Sequence, residues 1–293
     1  MTAKKAIRLD KDSKHPFSGE TVYFATKHSK EKVLAPLFEK LGLKCFRADV
    51  DTDMFGTFSG EVERVEGVRE TLRRKTIAAA NANPGARFLL ASEGSFGSHP
   101  LIGFLQSDHE ALLFVDRKLK TEIYVEEIST TTNHAEIEIG PNDDIQGFLM
   151  QVGFPEHGII VKPKGNKPSA IKNLQTFHSL GQAIIDAFLI SPEPKIILST
   201  DMRANFNPTR MKNIEKVGMK LIESLNSFCP ECKTPGFAIS KGLPGLPCEE
   251  CGVPSQISKD VVWSCVKCAY AEEKARPDGV VAIPASNCEY CNP

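Results

Sequence analysis

Eight of the nine cysteines in this 293-residue chain form four Cys-x-x-Cys pairs near its end. The pairs are Cys229/Cys232, Cys248/Cys251, Cys265/Cys268 and Cys288/Cys291. A Cys-x-x-Cys turn directs two thiolates toward one point, and two such turns supply the four ligands of a tetrahedral zinc ion. Eight ligands therefore predict two closed structural zinc sites with no coordination position left for water. Sequential, nested and crossed combinations of the pairs all remain compatible with the spacing.

Residues 229–293 are predicted to form a double zinc-ribbon-like module. With no export signal upstream, paired cysteines indicate metal ligands rather than disulfides. The segment is rich in Gly and Pro, so metal binding supplies most of its folding free energy. It carries six Lys/Arg against eight Asp/Glu, and each zinc with four thiolates adds a charge of about −2. Because phosphate backbones require a positive surface, nucleic-acid binding is not expected.

A second group of candidate residues is basic and follows the first strand-like segment. The sequence TVYFAT is followed by Lys27, His28 and Lys30 at the start of a helical pattern. The free N–H groups at a helix start attract anions, so Thr26 to Lys30 predict a phosphate-binding turn. A solvated helix end is the alternative interpretation.

Three carboxylates are candidate metal ligands. Asp51 and Asp53 are two residues apart in DTDMFGT and could direct both carboxylates toward a hard cation such as Mg²⁺ or Mn²⁺. Glu93 follows an apolar strand and precedes a Gly that would let a ligand approach closely, so it is a candidate metal ligand or general base. Ordinary turn carboxylates are the alternative interpretation.

The last candidate loop is TDMRANFNPTR, in which Arg203 and Arg210 could hold phosphate by paired hydrogen bonds. Asn207-Pro208 in the same loop is also a typical helix start, which requires no function. Ser95 is a further candidate for substrate binding. No Walker loop, Gly-x-Gly-x-x-Gly or Gly-x-Ser-x-Gly motif occurs in the sequence.

The elements that would position these residues predict an α/β fold. The pattern is strand–helix–strand–helix–strand, an antiparallel insertion, then strand–helix–strand–helix. This order predicts a mixed sheet with helices on both faces. Ligands of such sheets bind where strands end, and the four polar loops lie at predicted strand ends. The prediction places strands at 87–92 and 195–200, a loop over 93–100 and a helical stretch over 171–189.

Composition narrows the functional class. The chain is 41% hydrophobic and 25% charged with net charge −1, which is typical of a globular protein and favours neither nucleic acid nor an anionic membrane. No apolar run reaches the ~18 residues of a membrane helix. The expected location is the cytoplasm. The expected organisation is a flexible N-terminus at 1–14, an α/β domain at 15–228 and the zinc-binding module at 229–293.

The strings ATKHSKE, DTDMFGTFSGEV, ASEGSFGSHP, TDMRANFNPTRM and the terminal CxxCNP resemble an uncharacterised family of mainly bacterial proteins of unknown function. Residues 21 to about 130 also resemble inosine/xanthosine triphosphate pyrophosphatases and their Maf-type relatives. In that resemblance, Thr26 and Lys30 correspond to the family's first Thr and Lys, and Glu93 corresponds to its metal-binding acidic residue. The usual Gly-Asn after the first Thr is replaced by Lys27-His28.

Together these features predict a metal-dependent hydrolase of a nucleotide or another phosphorylated small molecule. In this hypothesis Asp51, Asp53 and Glu93 bind Mg²⁺ or Mn²⁺, and the basic residues hold the phosphates. The alternative is a non-catalytic binding protein whose zinc module docks a protein partner.

Overall fold

A computed structural model describes residues 14–55, 66–165 and 170–292. The chain forms two compact units. The larger comprises Phe17–Lys118 and Tyr124–Leu221, and the smaller comprises the described residues of Met1–Pro16, Leu119–Ile123 and Ile222–Pro293. The division at residue 228 and the flexible segment 1–14 stay predictions, since residues 1–13 lie outside the described part of the chain.

The elements of the larger unit confirm the α/β fold. The strands are β1 Thr21–Ala25, β2 Lys44–Arg47, β3 Phe88–Ser98, β4 Gln106–Asp116, β5 Thr121–Ser129, β6 Glu136–Ile139, β7 Ile159–Pro163, β8 Ile171–Leu174 and β9 Ile196–Thr200. The helices are α1 Glu31–Glu39, α2 Val68–Ala82, α3 Gln146–Val152, α4 Phe177–Ile190 and α5 Pro208–Leu225, the last of which ends in the smaller unit.

The first five strands form a mixed sheet in the order β2-β1-β3-β4-β5. β1 runs parallel to β2 and β3, and β3 runs antiparallel to β4. Leu72 of α2 packs with Leu89 and Leu113 on one face. Because side chains alternate along a strand, Phe114 lies on the other face, where its ring is 6.1 Å from that of Phe38 in α1. Helices therefore cover both faces of this sheet, as predicted.

The later strands form a separate antiparallel sheet in the order β6-β9-β7-β8. Buried residues of α3 and α4, among them Phe148 and Leu180, pack with Ile159 and Leu198 of this sheet in one apolar core. The strands after residue 135 thus pair among themselves.

Two segments differ from the sequence prediction. Residues 93–98, expected in a loop, continue β3, because β4 pairs with all eleven residues of that strand. The helical stretch expected over 171–189 begins with strand β8, and α4 starts only at Phe177 after a capping box formed by Thr176 and Ser179. In both places tertiary pairing overrides local pattern. Gly56 and Thr57, the end of the expected loop DTDMFGT, lie outside the described residues.

The smaller unit contains a three-stranded antiparallel sheet with the order β10-β11-β12. Its strands are β10 Ala238–Pro244, β11 Ser258–Ser264 and β12 Ala271–Ala275. Phe237 is fully buried, and its ring lies 5.7 Å from the rings of both Trp263 and Tyr270. No helix in the described part of the chain is both long and apolar enough to cross a membrane.

Candidate functional site

The larger unit has an open strand edge where β1 ends. β1 pairs with β3 only as far as Ala25 opposite Ala91, whereas β3 continues beside β4 to Ser98. Among the described strands, none pairs with β3 beyond Ala91 on its β1 side. This open stretch of β3 lies at the carboxyl end of β1, and the carboxyl ends of parallel strands are the usual place of ligands in α/β folds.

The turn after β1 lies at this edge and carries an ion-pair cluster. His28 and Ser29 both adopt left-handed backbone conformations, with φ of 64° and 60°, which are uncommon for residues with a Cβ. The turn places Nζ of Lys27 2.5 Å from Oδ1 of Asp51 and 2.7 Å from Oδ2 of Asp53. Hydrogen bonds to these carboxylates raise the pKa of Lys27. Burial lowers the pKa of His28 to about 4, so its ring is neutral at pH 7.

Lys30 and Arg210 share one buried carboxylate. Nε of Arg210 donates to Oε1 of Glu110 over 2.6 Å, and Nζ of Lys30 is 4.0 Å from Oε2 of Glu110. The Lys30 ammonium also donates to Oγ of Ser92 over 3.0 Å. Burial, with repulsion from Arg210, lowers the pKa of Lys30 to about 8. Lysine is almost never fully buried unless it is paired. The buried Lys30 is paired in this way with Glu110.

Lys75 of α2 reaches the same strand from the other face of the sheet. Its Nζ donates to the Ser92 carbonyl oxygen over 3.2 Å and to the carboxylate of Glu93. The side chains of Lys75 and Glu93 are only 9% and 11% exposed. A lysine–carboxylate pair therefore stands at the point where β3 loses its β1 neighbour.

Gly94 allows Arg210 and Glu110 to approach the strand. A Cβ at position 94 would lie 2.5 Å from Oε1 of Glu110 and still closer to Nη2 of Arg210. The sequence predicted that a ligand could approach the backbone closely at this Gly. In the structure, the ion pair of Arg210 and Glu110 occupies that space. Any residue larger than glycine would displace the guanidinium or the carboxylate.

Asp108 is a buried carboxyl group with one unsatisfied oxygen. Its Oδ2 accepts from Nδ2 of Asn213 over 2.8 Å, and its Oδ1 has no hydrogen-bond partner. The residue is 1% exposed. Burial, and then the neighbouring Glu110 charge, raises the pKa of Asp108 to about 7. Strongly shifted carboxyl groups beside buried cations are typical of functional sites.

Arg203 lies at the same end of the unit with partners of its own. Its Nε donates to Oδ1 of Asp201 over 2.9 Å, and its Nη2 donates to Oδ1 of Asn173 over 2.8 Å. Burial is the largest cause of the lowered pKa of His28, and the positive charges of Arg203 and Arg210 lower this pKa further. The charges of the loop after β9 therefore act on the turn after β1, and a single site built from the strand-end loops stays a prediction.

The candidate Mg²⁺ ligands are engaged with lysines. Asp51 and Asp53 pair with Lys27, and Glu93 pairs with Lys75. Within the described residues, the groups of three or more metal-capable side chains are the two cysteine groups only. Of the other candidates, Thr26 is buried and donates to the Lys27 carbonyl oxygen, and Ser95 lies opposite His109 on β4.

Sequence reasoning missed Lys75, Asp108 and Glu110. The segment QSDHEALLFVD could have indicated the two acids. In it, Asp108 and Glu110 are two residues apart, and the five residues that follow Glu110 are apolar. Alternation puts both carboxyl groups on one face, and that face is buried here. A buried pair of acids predicts buried cations opposite them, which are Lys30 and Arg210.

The eight paired cysteines of the smaller unit form two four-cysteine groups. One contains Cys229, Cys232, Cys265 and Cys268, and the other contains Cys248, Cys251, Cys288 and Cys291. Sulfur–sulfur distances across the pairs are 3.5 and 3.7 Å in the first group and 3.7 and 3.9 Å in the second. A tetrahedron with Zn–S bonds of about 2.3 Å separates its sulfurs by about 3.8 Å, so the donor sets fit zinc. Disulfides would require about 2.05 Å.

The first and third pairs share one group, and the second and fourth share the other. This is the crossed combination among those that the spacing allowed. β10 runs from the first pair toward the second, and β11 returns to the third. Seven-residue strands at about 3.3 Å per residue place the two zinc positions roughly 20 Å apart at opposite ends of the sheet.

Residues 77–293 match the family described as domain of unknown function DUF6671. The chain belongs to the DUF6671 family. The match confirms the predicted membership of an uncharacterised family. It includes all eight zinc-group cysteines, Glu93 and Arg210, whereas Lys27 and Lys30 precede it. No curated protein matches this DUF6671 chain.

Among solved structures, the chain is similar to the protein VC0702 from Vibrio cholerae. The two share 9% identity, and the similarity covers 38% of this chain and 62% of the Vibrio cholerae chain with a TM-score of 0.25. The chain thus spans less than two thirds of that protein. A likeness at this level supports no conclusion about fold or activity.

Proposed function

We propose that the larger unit binds and hydrolyses a phosphorylated small molecule, a nucleotide being the leading class, while the smaller unit is held together by two structural zinc ions. The observation that carries this proposal is the pairing of cations with carboxylates around the open edge of β3. Lys27 pairs with Asp51 and Asp53, Lys75 with Glu93, and Arg210 with Glu110.

Such an edge complements a ligand that carries both signs of charge. A phosphate without a cation would be repelled by the carboxylates of these ion pairs. A phosphate bound to a divalent cation gives the lysine or arginine of each pair an anionic partner and gives the carboxylate a cationic one. Lys27 would exchange Asp53 for a phosphate oxygen, and Asp53 would turn to the cation. Mg²⁺ or Mn²⁺ bound with the substrate would neutralise charge that develops on the phosphate oxygens.

The buried pair supplies the fixed part of this site. Arg210 is fully enclosed and held on Glu110, so its guanidinium needs little reorganisation when charge develops nearby. Lys30 adds a second desolvated cation at the same carboxylate. The resemblance of residues 21 to about 130 to triphosphate pyrophosphatases agrees with this assignment, and Glu93 would be the metal-binding acid.

The experiment measures phosphate and pyrophosphate release from a panel of normal and deaminated nucleotides, with Mg²⁺ and with Mn²⁺. We expect metal-dependent turnover that falls at least 100-fold in Glu93→Gln, which keeps the shape of the side chain and removes its charge. Glu39→Gln, an exposed residue at the end of α1, is the matched control and keeps wild-type turnover. Absence of any turnover from folded, zinc-loaded protein would contradict hydrolysis.

The second candidate is a binding protein without catalysis. It is favoured by the ion pairs that Asp51, Asp53 and Glu93 form with lysines. Because the lysines already neutralise these carboxylates, a ligand would bind without a metal. In this case the zinc unit docks a protein partner, for which the exposed side chains of Val281 and Tyr290 are available. Ligand binding measured by calorimetry under metal-replete conditions, with no product formed, would favour this function over hydrolysis.

A further inference from the structure

Three side chains form a hydrogen-bonded chain across β4 and β5. Nε2 of His109 lies 2.9 Å from Oε2 of Glu126, and the Tyr124 hydroxyl donates to the same oxygen over 2.5 Å. Tyr124 packs against the core on the α2 face of the sheet, and the guanidinium of Arg69 from α2 lies 5.0 Å from the centre of its ring. The chain of contacts therefore lies on the α2 face.

This face also carries Glu93. In the β3–β4 register Glu93 is opposite Ala111 and Ser95 is opposite His109. Residues opposite each other, and residues two apart on one strand, share a face of the sheet. Glu93 and His109 are thus diagonal neighbours, with Cα atoms about 7–8 Å apart. That separation is suited to two groups that act on one water molecule or one phosphate between them.

The contacts orient the imidazole of His109. Burial raises the pKa of Glu126, but hydrogen bonds from Tyr124 and His109 outweigh it, and the net shift is downward. Glu126 is therefore a carboxylate at neutral pH and accepts the hydrogen on Nε2. That tautomer leaves a lone pair on Nδ1. A base oriented by a third group is the arrangement that general-base catalysis uses.

The contact between His109 and Glu126 contributes little to the stability of the fold. The side chains of His109 and Glu126 are 24% and 50% exposed. Even a full ion pair between exposed side chains contributes only about 0–1 kcal/mol, and a hydrogen bond from a neutral imidazole contributes no more. The same exposure gives solvent access to the ring, in contrast to the buried Asp108, which is 1% exposed.

We propose that His109 is the general base of the hydrolysis, with Glu126 as its positioning residue. This rests on the proposed function of the site. Nδ1 removes one proton from a water molecule as the water oxygen forms a bond to phosphorus. The bond from phosphorus to the leaving oxygen breaks, and that oxygen, on pyrophosphate or on the remaining nucleoside phosphate, takes the electron pair. The resulting imidazolium is stabilised by Glu126, and it later releases its proton to solvent.

The test is the pH–rate profile of nucleotide hydrolysis for wild type and variants. The charged and titratable groups around His109 are its partner Glu126, Tyr124 bound to that partner, and its diagonal neighbour Glu93. From α2, Arg69 contacts Tyr124 and Lys75 pairs with Glu93. We expect His109→Gln to lower kcat about 10²–10⁴-fold with little change in KM, and to remove the acidic limb of the profile. Glu126→Gln gives a smaller loss. His178→Gln, an exposed residue on α4, is the matched control.

A second variant separates catalysis from folding. Added imidazole restores part of the turnover of His109→Ala if the ring acts as a base, whereas a purely structural histidine would not be rescued. Wild-type kcat and an unchanged acidic limb in His109→Gln would overturn this proposal and leave the hydrolase proposal intact. Absence of turnover in the wild type itself would overturn both.

Discussion

The two units of this protein hold their functional groups in opposite ways. In the smaller unit, the cysteines come in pairs three residues apart, and each group of two pairs could hold one metal ion. In the larger unit, Lys30, Glu110 and Arg210 pair with one another, and Lys75 pairs with Glu93. These residues come from the turn after β1 and from α2, β3, β4 and α5. The first site has a single kind of donor, whereas the second contains both signs of charge.

This difference has an energetic consequence. Zinc binding supplies folding free energy directly to a unit with little apolar core, so loss of one ligand should affect the whole metal site. Buried ion pairs cost desolvation energy that their attraction only partly returns. The larger unit therefore depends on its apolar cores for stability.

The largest expected effect is removal of zinc ligands. Wild-type protein should contain two zinc ions, one in each cysteine group. Cys229→Ser should abolish one site, whose binding is worth about 10 kcal/mol or more. Cys229→Ser/Cys265→Ser should lose the same single zinc, whereas Cys229→Ser/Cys248→Ser should lose both. Elemental analysis of the purified variants measures the stoichiometry.

Cys45→Ser is the control for this series. Burial raises the pKa of the Cys45 thiol to about 12, and the residue belongs to neither group, so two zinc ions should be retained. One remaining zinc in Cys229→Ser/Cys248→Ser would contradict the crossed pairing.

The next effect concerns the buried pair of the larger unit. Arg210→Met leaves Glu110, which is 1% exposed, with Lys30 at 4.0 Å as its remaining cation and should lower the free energy of unfolding by about 3–5 kcal/mol. Arg210→Met/Glu110→Met removes both charges of the pair, leaves Lys30 without that carboxylate, and should recover part of that loss. Urea unfolding measures both variants against Lys216→Met, an exposed position on α5. A double variant as unstable as the single one would show that the pair is not coupled.

The smallest effect is a pH dependence due to Asp108. Its folded-state pKa is raised from 3.8 to about 7, so between these values the folded state binds a proton that the unfolded state has released. Stability from this group is fully present below pH 4 and is lost as pH rises through 7. Asp108→Asn should reduce this decline, with a difference of about 1–3 kcal/mol at pH 8.

The measurement is the free energy of unfolding at pH 5, 6, 7 and 8 for wild type and Asp108→Asn. Asp49→Asn changes an exposed aspartate and should follow the wild-type curve. Parallel curves for wild type and Asp108→Asn would mean that Asp108 is ionised throughout.

Local pattern predicted the elements whose partners are near in sequence. The strand of Thr21–Ala25 is expected from its β-forming residues, and the helix of Glu31–Glu39 from its apolar periodicity. The extension of β3 through Gly94 was not, because Gly and Ser favour turns and only pairing with β4 makes the segment a strand. The strand at Ile171–Leu174 was likewise hidden, since its apolar residues also fit a helical period.

By itself, the sequence determined the zinc ligands, because two cysteines three residues apart must converge on one point whatever surrounds them. It also determined the α/β class and the strand-end loops that carry Lys27 and Arg203. Only the tertiary structure decided that the cysteine pairs cross, that Lys75 holds Glu93, and that Asp108 and Glu110 are buried beside Lys30 and Arg210. Those contacts join residues up to 100 positions apart, and their energies depend on desolvation, which no local spacing records.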